Sequence, residues 1–209
     1  MNVKGYAAPE TKAAEERARL LIEEAEALGE PPEDPLLLFS VLHGVWLANY
    51  VAFDGVVMRE LAAQLLALAD KQGATTPLMI GHRVMGNSLL HAGNIAECRA
   101  HFDRDCALRS RPTSLVCDAV GQDMKVIVLS WRALAQWLLG NPEAALADAN
   151  QAINDAREIG QAATLMYALG IASFVFIARM KVSSRRTRRS LTSLHRRVRI
   201  SSLGARRLI

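Results

Sequence analysis

The sequence predicts an all-α chain built as a stack of antiparallel helical hairpins, and three observations carry that expectation. Apolar residues recur at three- and four-residue intervals through most of positions 1–181. No run alternates apolar with polar residues in the manner of a half-buried strand. One short turn, with an apolar helix before it and an amphipathic helix after it, recurs at Phe53-Asp54, Gly93-Asn94 and Gly140-Asn141.

The first helix is expected over 11–28. Ala14, Ala18, Leu21, Ile22, Ala25 and Leu28 form its apolar stripe, with Glu15, Glu16, Arg17, Glu23 and Glu24 between them. Gly29 and Pro31-Pro32 stop it. Asp34-Pro35 opens the next helix, 35–52, with a capping carboxylate and a proline at the first helical position, where no N–H is needed. Thr76-Pro77 and Asn141-Pro142 repeat that device. Further helices are expected over 56–72, 77–91, 95–109, 123–139, 142–159 and 161–179. The one long irregular stretch is 110–122, broken by Pro112 and Gly121. Connections this short make neighbouring helices antiparallel.

Composition bounds the rest. With 209 residues and 51% of them hydrophobic, the chain is not wholly disordered. Three cysteines (Cys98, Cys106 and Cys117) make no disulfide scaffold, and the N-terminus has no apolar run of the secretory kind, so a cytoplasmic location is expected. The net charge of +4 conceals two parts. Residues 182–209 hold nine arginines and no acid, which leaves sixteen basic against twenty-one acidic residues in 1–181, a balance of −5. The organisation expected is a helical repeat domain, 1–181, followed by a disordered Arg/Ser-rich tail, 182–209.

The recurring turns are 40 and 47 residues apart, and they take a degenerate tetratricopeptide pattern. Gly86 stands at the small position of a first helix, between Met85 and Leu89, and Phe102 at the aromatic position of the second. Around the third turn Ala133 and Ala145 take the small positions where the two helices cross closely, and Ala152 the small position toward the helix end. Cys98 and Asp105 stand where alanine is usual, and Ala149 where an aromatic is usual. An ordinary helical bundle gives no reason for a recurring turn, so a tetratricopeptide-like α-solenoid is the preferred reading.

Three stretches carry a further resemblance: Lys4-Gly5-Tyr6-Ala7-Ala8-Pro9-Glu10, Gly121-Gln122-Asp123, and the run from Leu134 through Gly140-Asn141-Pro142 to Leu146. They resemble the C-terminal tetratricopeptide region of bacterial multidomain signalling proteins of the class III adenylate/guanylate cyclase type, which join a cyclase domain to an ATPase module and a helical-repeat arm. The resemblance covers about residues 4–181. It implies a regulatory arm whose natural partner is an ATPase or cyclase module, and it carries no catalysis across. It also implies a fragment of a longer protein. The helix ending near Met180-Lys181 is followed by Arg- and Ser-rich text instead of an amphipathic partner, as a frameshift in GC-rich DNA would give.

No reaction centre is expected. There is no Gly-Lys dipeptide and hence no phosphate loop, and no Gly-x-Ser-x-Gly elbow. Cys98, His101 and Asp105 fall at i, i+3 and i+7, but the paired ligand spacings of a structural zinc site are missing; no metal or cofactor is expected. The uncharged run 162–178 reads as a buried repeat helix before a membrane span, because Thr164, Tyr167, Gly170 and Ser173 dilute it. The expected function is a protein-interaction arm, with itself or a cyclase/ATPase module as partner and Asn49, Arg83, Asn87, Arg132 and Gln136 as contact residues on first helices. The alternative is a basic-tail protein that binds nucleic acid or anionic membrane non-specifically. No aromatic residue follows Phe176 to stack on a base, which places nucleic acid and membrane behind a protein partner.

Overall fold

The computed structural model describes residues 35–109 and 123–181, together with Ala13, Arg17 and Leu20. Seven helices account for nearly all of the two long segments, and among the described residues there is no strand. They are α1 (Pro35–Ala52), α2 (Gly55–Gln72), α3 (Thr75–His91), α4 (Ile95–Arg109), α5 (Met124–Leu138), α6 (Pro142–Ile159) and α7 (Ala162–Lys181). Each of the expected boundaries from 35 to 181 lies within about two residues of these. Ala13, Arg17 and Leu20 are helical and exposed. The rest of the helix expected over 11–28, the stretch 110–122 and the tail 182–209 lie outside the described residues.

The three similar turns are one backbone structure. Phe53, Gly93 and Gly140 each adopt a left-handed conformation, with φ of 60°, 83° and 81°. The next N–H then reaches back five residues: Asp54 to the Asn49 carbonyl at 3.1 Å, Asn94 to Leu89 at 2.9 Å, Asn141 to Gln136 at 2.9 Å. This is the bonding that satisfies a helix's orphan carbonyls while reversing the chain. Phe53 makes the turn without glycine's freedom, so the first turn carries a strain that the other two avoid.

Burial after each turn follows the same register. Five residues beyond the left-handed residue stand Met58, Cys98 and Ala145; nine beyond, Ala62, Phe102 and Ala149; twelve beyond, Leu65, Asp105 and Ala152. All nine are sealed from solvent. Seven residues before the turn, the facing position of the first helix holds Trp46, Gly86 or Ala133, again sealed. Volume is therefore exchanged across the crossing: Trp46 with Ala62, Gly86 with Phe102, Ala133 with Ala149. A Cβ built on Gly86 would lie 2.6 Å from Phe102 Cε1, so only glycine admits the ring.

Each helix packs on its chain neighbours, and α3 also touches α5, so the core is three clusters strung along the chain. One holds α1, α2 and Val84 of α3; one holds α3, α4 and α5; one holds α5, α6 and α7.

One expected cap is displaced, and Asn141 holds its expected cap position, with Pro142 after it, without a side-chain bond to the helix. α3 begins at Thr75, not after Thr76, because the left-handed Gly73 ends α2 and Ala74 alone links the two. Pro77 then falls at the third helical position, still within the turn whose N–H groups need no partner. Asn141 makes no side-chain cap; its amide crosses the turn to Gln136 Oε1 at 3.1 Å. The side-chain caps are aspartates: Asp54 on Val57 N at 3.2 Å and Asp123 on Val126 N at 3.0 Å.

Candidate functional site: an aromatic seam across the first helices

Aromatic side chains are scarce here, eleven in all, and eight of them lie on α1, α5 and α7, with none on α3. The second helices hold only Phe102. Six rings, histidines included, form a continuous line. His43 stacks near Trp46 with centroids 6.1 Å apart, and Trp46 stacks on Tyr50 at 5.1 Å, all within α1. Tyr50 meets the edge of His91 on α3 at 5.2 Å, His91 meets Trp131 on α5 at 6.0 Å, and Trp131 meets Tyr167 on α7 at 6.4 Å. These separations suit edge-to-face and offset-stacked rings.

Polar contacts fix the line. Trp46 Nε1 donates to Ser88 Oγ at 2.9 Å, and Ser88 in turn donates to the Val84 carbonyl at 2.9 Å. Trp131 Nε1 donates to the Tyr167 hydroxyl. His91 Nδ1 lies 2.8 Å from the Asn87 carbonyl, which orients its ring. At the α5–α7 junction the buried Asp123 N–H donates to Thr164 Oγ1 at 3.2 Å. His91 is exposed, while Tyr50, Trp131 and Tyr167 are half-buried. The exposed Phe53 adds a further ring beside the line, its centroid 6.2 Å from that of His91.

The five residues expected to contact a partner lie on three of the same helices, α1, α3 and α5. Arg83 is buried, with Nη2 3.0 Å from His43 Nε2, which links α3 to α1. Asn87 is buried too, its Oδ1 enclosed without a hydrogen-bond partner. Asn49 Nδ2 donates to Val45 O of its own helix at 2.9 Å. Gln136 is buried at the third turn. Arg132 grips both Asp148 oxygens, through Nε at 2.8 Å and Nη2 at 2.7 Å, and reaches Asp103 at 3.3 Å. The bond to Asp148 holds its guanidinium pKa above the usual value, and the three residues join α4, α5 and α6. The structure therefore commits the two arginines to holding helices together, while Asn49 bonds within its own helix and Gln136 within the third turn. The sequence signal for the seam is the concentration of aromatics on first helices.

Cys98, His101 and Asp105 do not converge. Cys98 points into the core, where burial pushes its thiol up to about 12. Burial likewise raises the Asp105 carboxyl, opposed by Arg109, whose Nε lies 2.5 Å away. His101 instead faces His82 of α3, Nδ1 to Nδ1 at 3.0 Å. Among the described residues no group of three or more His, Cys, Asp or Glu side chains is placed to hold a metal ion.

These histidines set an expected pH response. Burial, and then Arg83, lowers His43 to about 4; an arginine can only donate, so His43 Nε2 must accept and stay unprotonated. Burial, then His82 and Arg104, lowers His101 to about 4, and His82 is lowered as well. Each folded-state pKa is below its unfolded value near 6.5, so the unfolded chain binds more protons between the two. Stability is full above the unfolded value and falls as pH drops from 6.5 towards 4. His43 alone accounts for about 2 kcal/mol of that loss by pH 5. Asp105 acts in the opposite sense just above its ordinary value. Urea midpoints at pH 7.5 and pH 5 measure the net effect; a higher midpoint at pH 5 contradicts the assignment.

A scan against protein-family models matches none, and a search of the curated proteins finds no match.

Proposed function

We propose that the chain is a non-catalytic, tetratricopeptide-like interaction arm, and that its first-helix seam receives a segment of a protein partner. The observation that carries this reading is the repeated hairpin: three turns with one bonding pattern, one burial register behind them, and the scarce aromatic rings gathered on the first helices. Stacked hairpins present their first helices side by side, and an array of this kind binds through that surface. The resemblance to cyclase-type signalling proteins makes a nucleotide-cyclase or ATPase module the partner class to test first.

Titration calorimetry of the full chain against such modules tests the reading, with His91→Asp and Trp131→Ala as comparisons. Binding that weakens by about tenfold or more in both variants supports it. Binding untouched by both variants, or hydrolysis of ATP or GTP by the purified polypeptide, overturns it. The alternative, phosphate binding through the nine arginines of 182–209, is separated by salt: that binding falls steeply as salt rises and is indifferent to His91 and Trp131.

A further inference from the structure

The second hairpin departs from its neighbours at one pair of positions. Eleven residues before the left-handed turn residue and eight after it, the first hairpin holds Leu42 and Leu61. Both are buried in one core cluster, so the register makes this a packing pair. The third hairpin keeps half of it, as Leu129 with Asp148, whose carboxylate is taken by Arg132. In the second hairpin the same two positions are His82 and His101. Their Nδ1 atoms stand 3.0 Å apart and their ring centroids 5.2 Å, with the planes at 52°. The crossing of Gly86 with Phe102, one turn along α3, brings the two helices close enough for this contact. Burial lowers both imidazole pKa values below the ordinary 6.5, so the pair is neutral at pH 7.

We propose that His82 and His101 are the two protein ligands of an open site for a divalent transition-metal ion of the zinc and copper type, which clamps α3 to α4. Zinc–nitrogen bonds are about 2.0–2.1 Å long, so two nitrogens on one ion stand about 2.9–3.4 Å apart. The observed 3.0 Å lies within that bite. A ligating imidazole must be neutral, as both of these are. Without an ion, one Nδ1 donates its hydrogen to the other. On binding, that hydrogen passes to Nε2 of its own ring, and both Nδ1 lone pairs then face the ion. Each ring is half-buried and so reachable from solvent, and water fills the remaining coordination positions. Imidazoles without a carboxylate favour zinc, copper or nickel over magnesium and calcium.

Two charges act on the pair. Asp70 of α2 favours a cation at His82, while Arg104 of α4 opposes one at both rings. Among the described residues no third His, Cys, Asp or Glu is placed to complete the set. An affinity resting on two ligands is therefore sensitive to both neighbouring charges. The inference is independent of the partner proposed for the aromatic seam.

Titration calorimetry of the full chain with zinc chloride at pH 7.5 reads the site directly. One ion per chain is expected, and magnesium chloride gives no binding. His82→Ala and His101→Ala each weaken zinc about tenfold or more, since even a lost outer-shell partner costs about that much. Arg104→Gln tightens binding and Asp70→Asn weakens it. His195→Ala, outside the described residues, leaves it unchanged. Because the ion binds only the folded pair, zinc also raises the urea midpoint of the wild-type chain but not that of His101→Ala. If an alanine variant fails to fold, copper(II) on the wild-type chain decides the matter: its electron paramagnetic resonance spectrum should carry splittings from two imidazole nitrogens. Absence of zinc binding, binding that persists in both alanine variants, or copper held by a single imidazole each overturns the proposal.

Discussion

Gly86→Ala is expected to destabilise the protein by about 1–3 kcal/mol, against the usual benefit of replacing a helical glycine. The new Cβ would stand 2.6, 2.9 and 3.0 Å from three atoms of the Phe102 ring. Phe102 is sealed from solvent in the crossing of α3 with α4, so the ring cannot swing aside. Phe102→Ala alone costs about 3–5 kcal/mol through the cavity it leaves. The double variant is the informative one. Alanine at both positions reproduces the Ala133–Ala149 pair of the next hairpin, and the added methyl fills part of the space the ring vacates. Its cost is therefore expected to fall below the sum of the singles by about 1 kcal/mol or more. Chemical denaturation of the four proteins measures the coupling, and strict additivity would mean that the two residues do not share one crossing.

Trp46→Ala carries the second large effect, about 3–5 kcal/mol. The indole is 1% exposed within the α1–α2 cluster, and its N–H supplies the hydrogen bond to Ser88. Ser88 still donates to the Val84 carbonyl once the indole is gone, so the loss comes mainly from emptied volume. Ser88→Ala reverses the situation: it keeps the volume but leaves a buried indole N–H unpaired, at about 1–3 kcal/mol. The order of urea midpoints should be wild type, Ser88→Ala, then Trp46→Ala. Trp46 fluorescence in Ser88→Ala should also lose the signature of a hydrogen-bonded indole, which a purely volumetric role would not alter.

Helix positions were legible because periodicity belongs to each helix alone. Leu61, Leu65 and Ala69, or Ala145, Ala149, Ala152 and Ala156, announce a buried face without reference to a partner. The turns were legible for the same reason, since a left-handed residue and its bond five residues back are local. The glycine at 86 could be assigned to a close crossing, although the ring that demands it stands 16 positions away. The seam was not legible. Arg83 is polar and sits on a first helix, which reads as a contact residue, and nothing local announces His43, 40 positions earlier and 3.0 Å away. Likewise Arg132 takes Asp148 and Asp103 from two other helices. Such pairings depend on how one hairpin is rotated against the next, and a helical stripe fixes only the helix's own rotation. Cap bonding was only partly legible: the length of the preceding link puts Ala74 rather than Thr76 at the cap of α3, whereas Asn141 holds the cap position of α6 before Pro142 but turns its amide to Gln136.

If successive hairpins share one crossing geometry, residue pairs should be transferable between them. The most direct measurement is therefore a transplant: Ala133→Gly with Ala149→Phe, which gives the third hairpin the pair found in the second. Ala149→Phe alone should overpack a sealed site and cost about 3 kcal/mol. With Ala133→Gly beside it, the glycine makes room for the ring, and most of that loss should return apart from about 1 kcal/mol for glycine in a helix. A double variant at least as unstable as Ala149→Phe would show that the crossings differ, and would contradict the repeat.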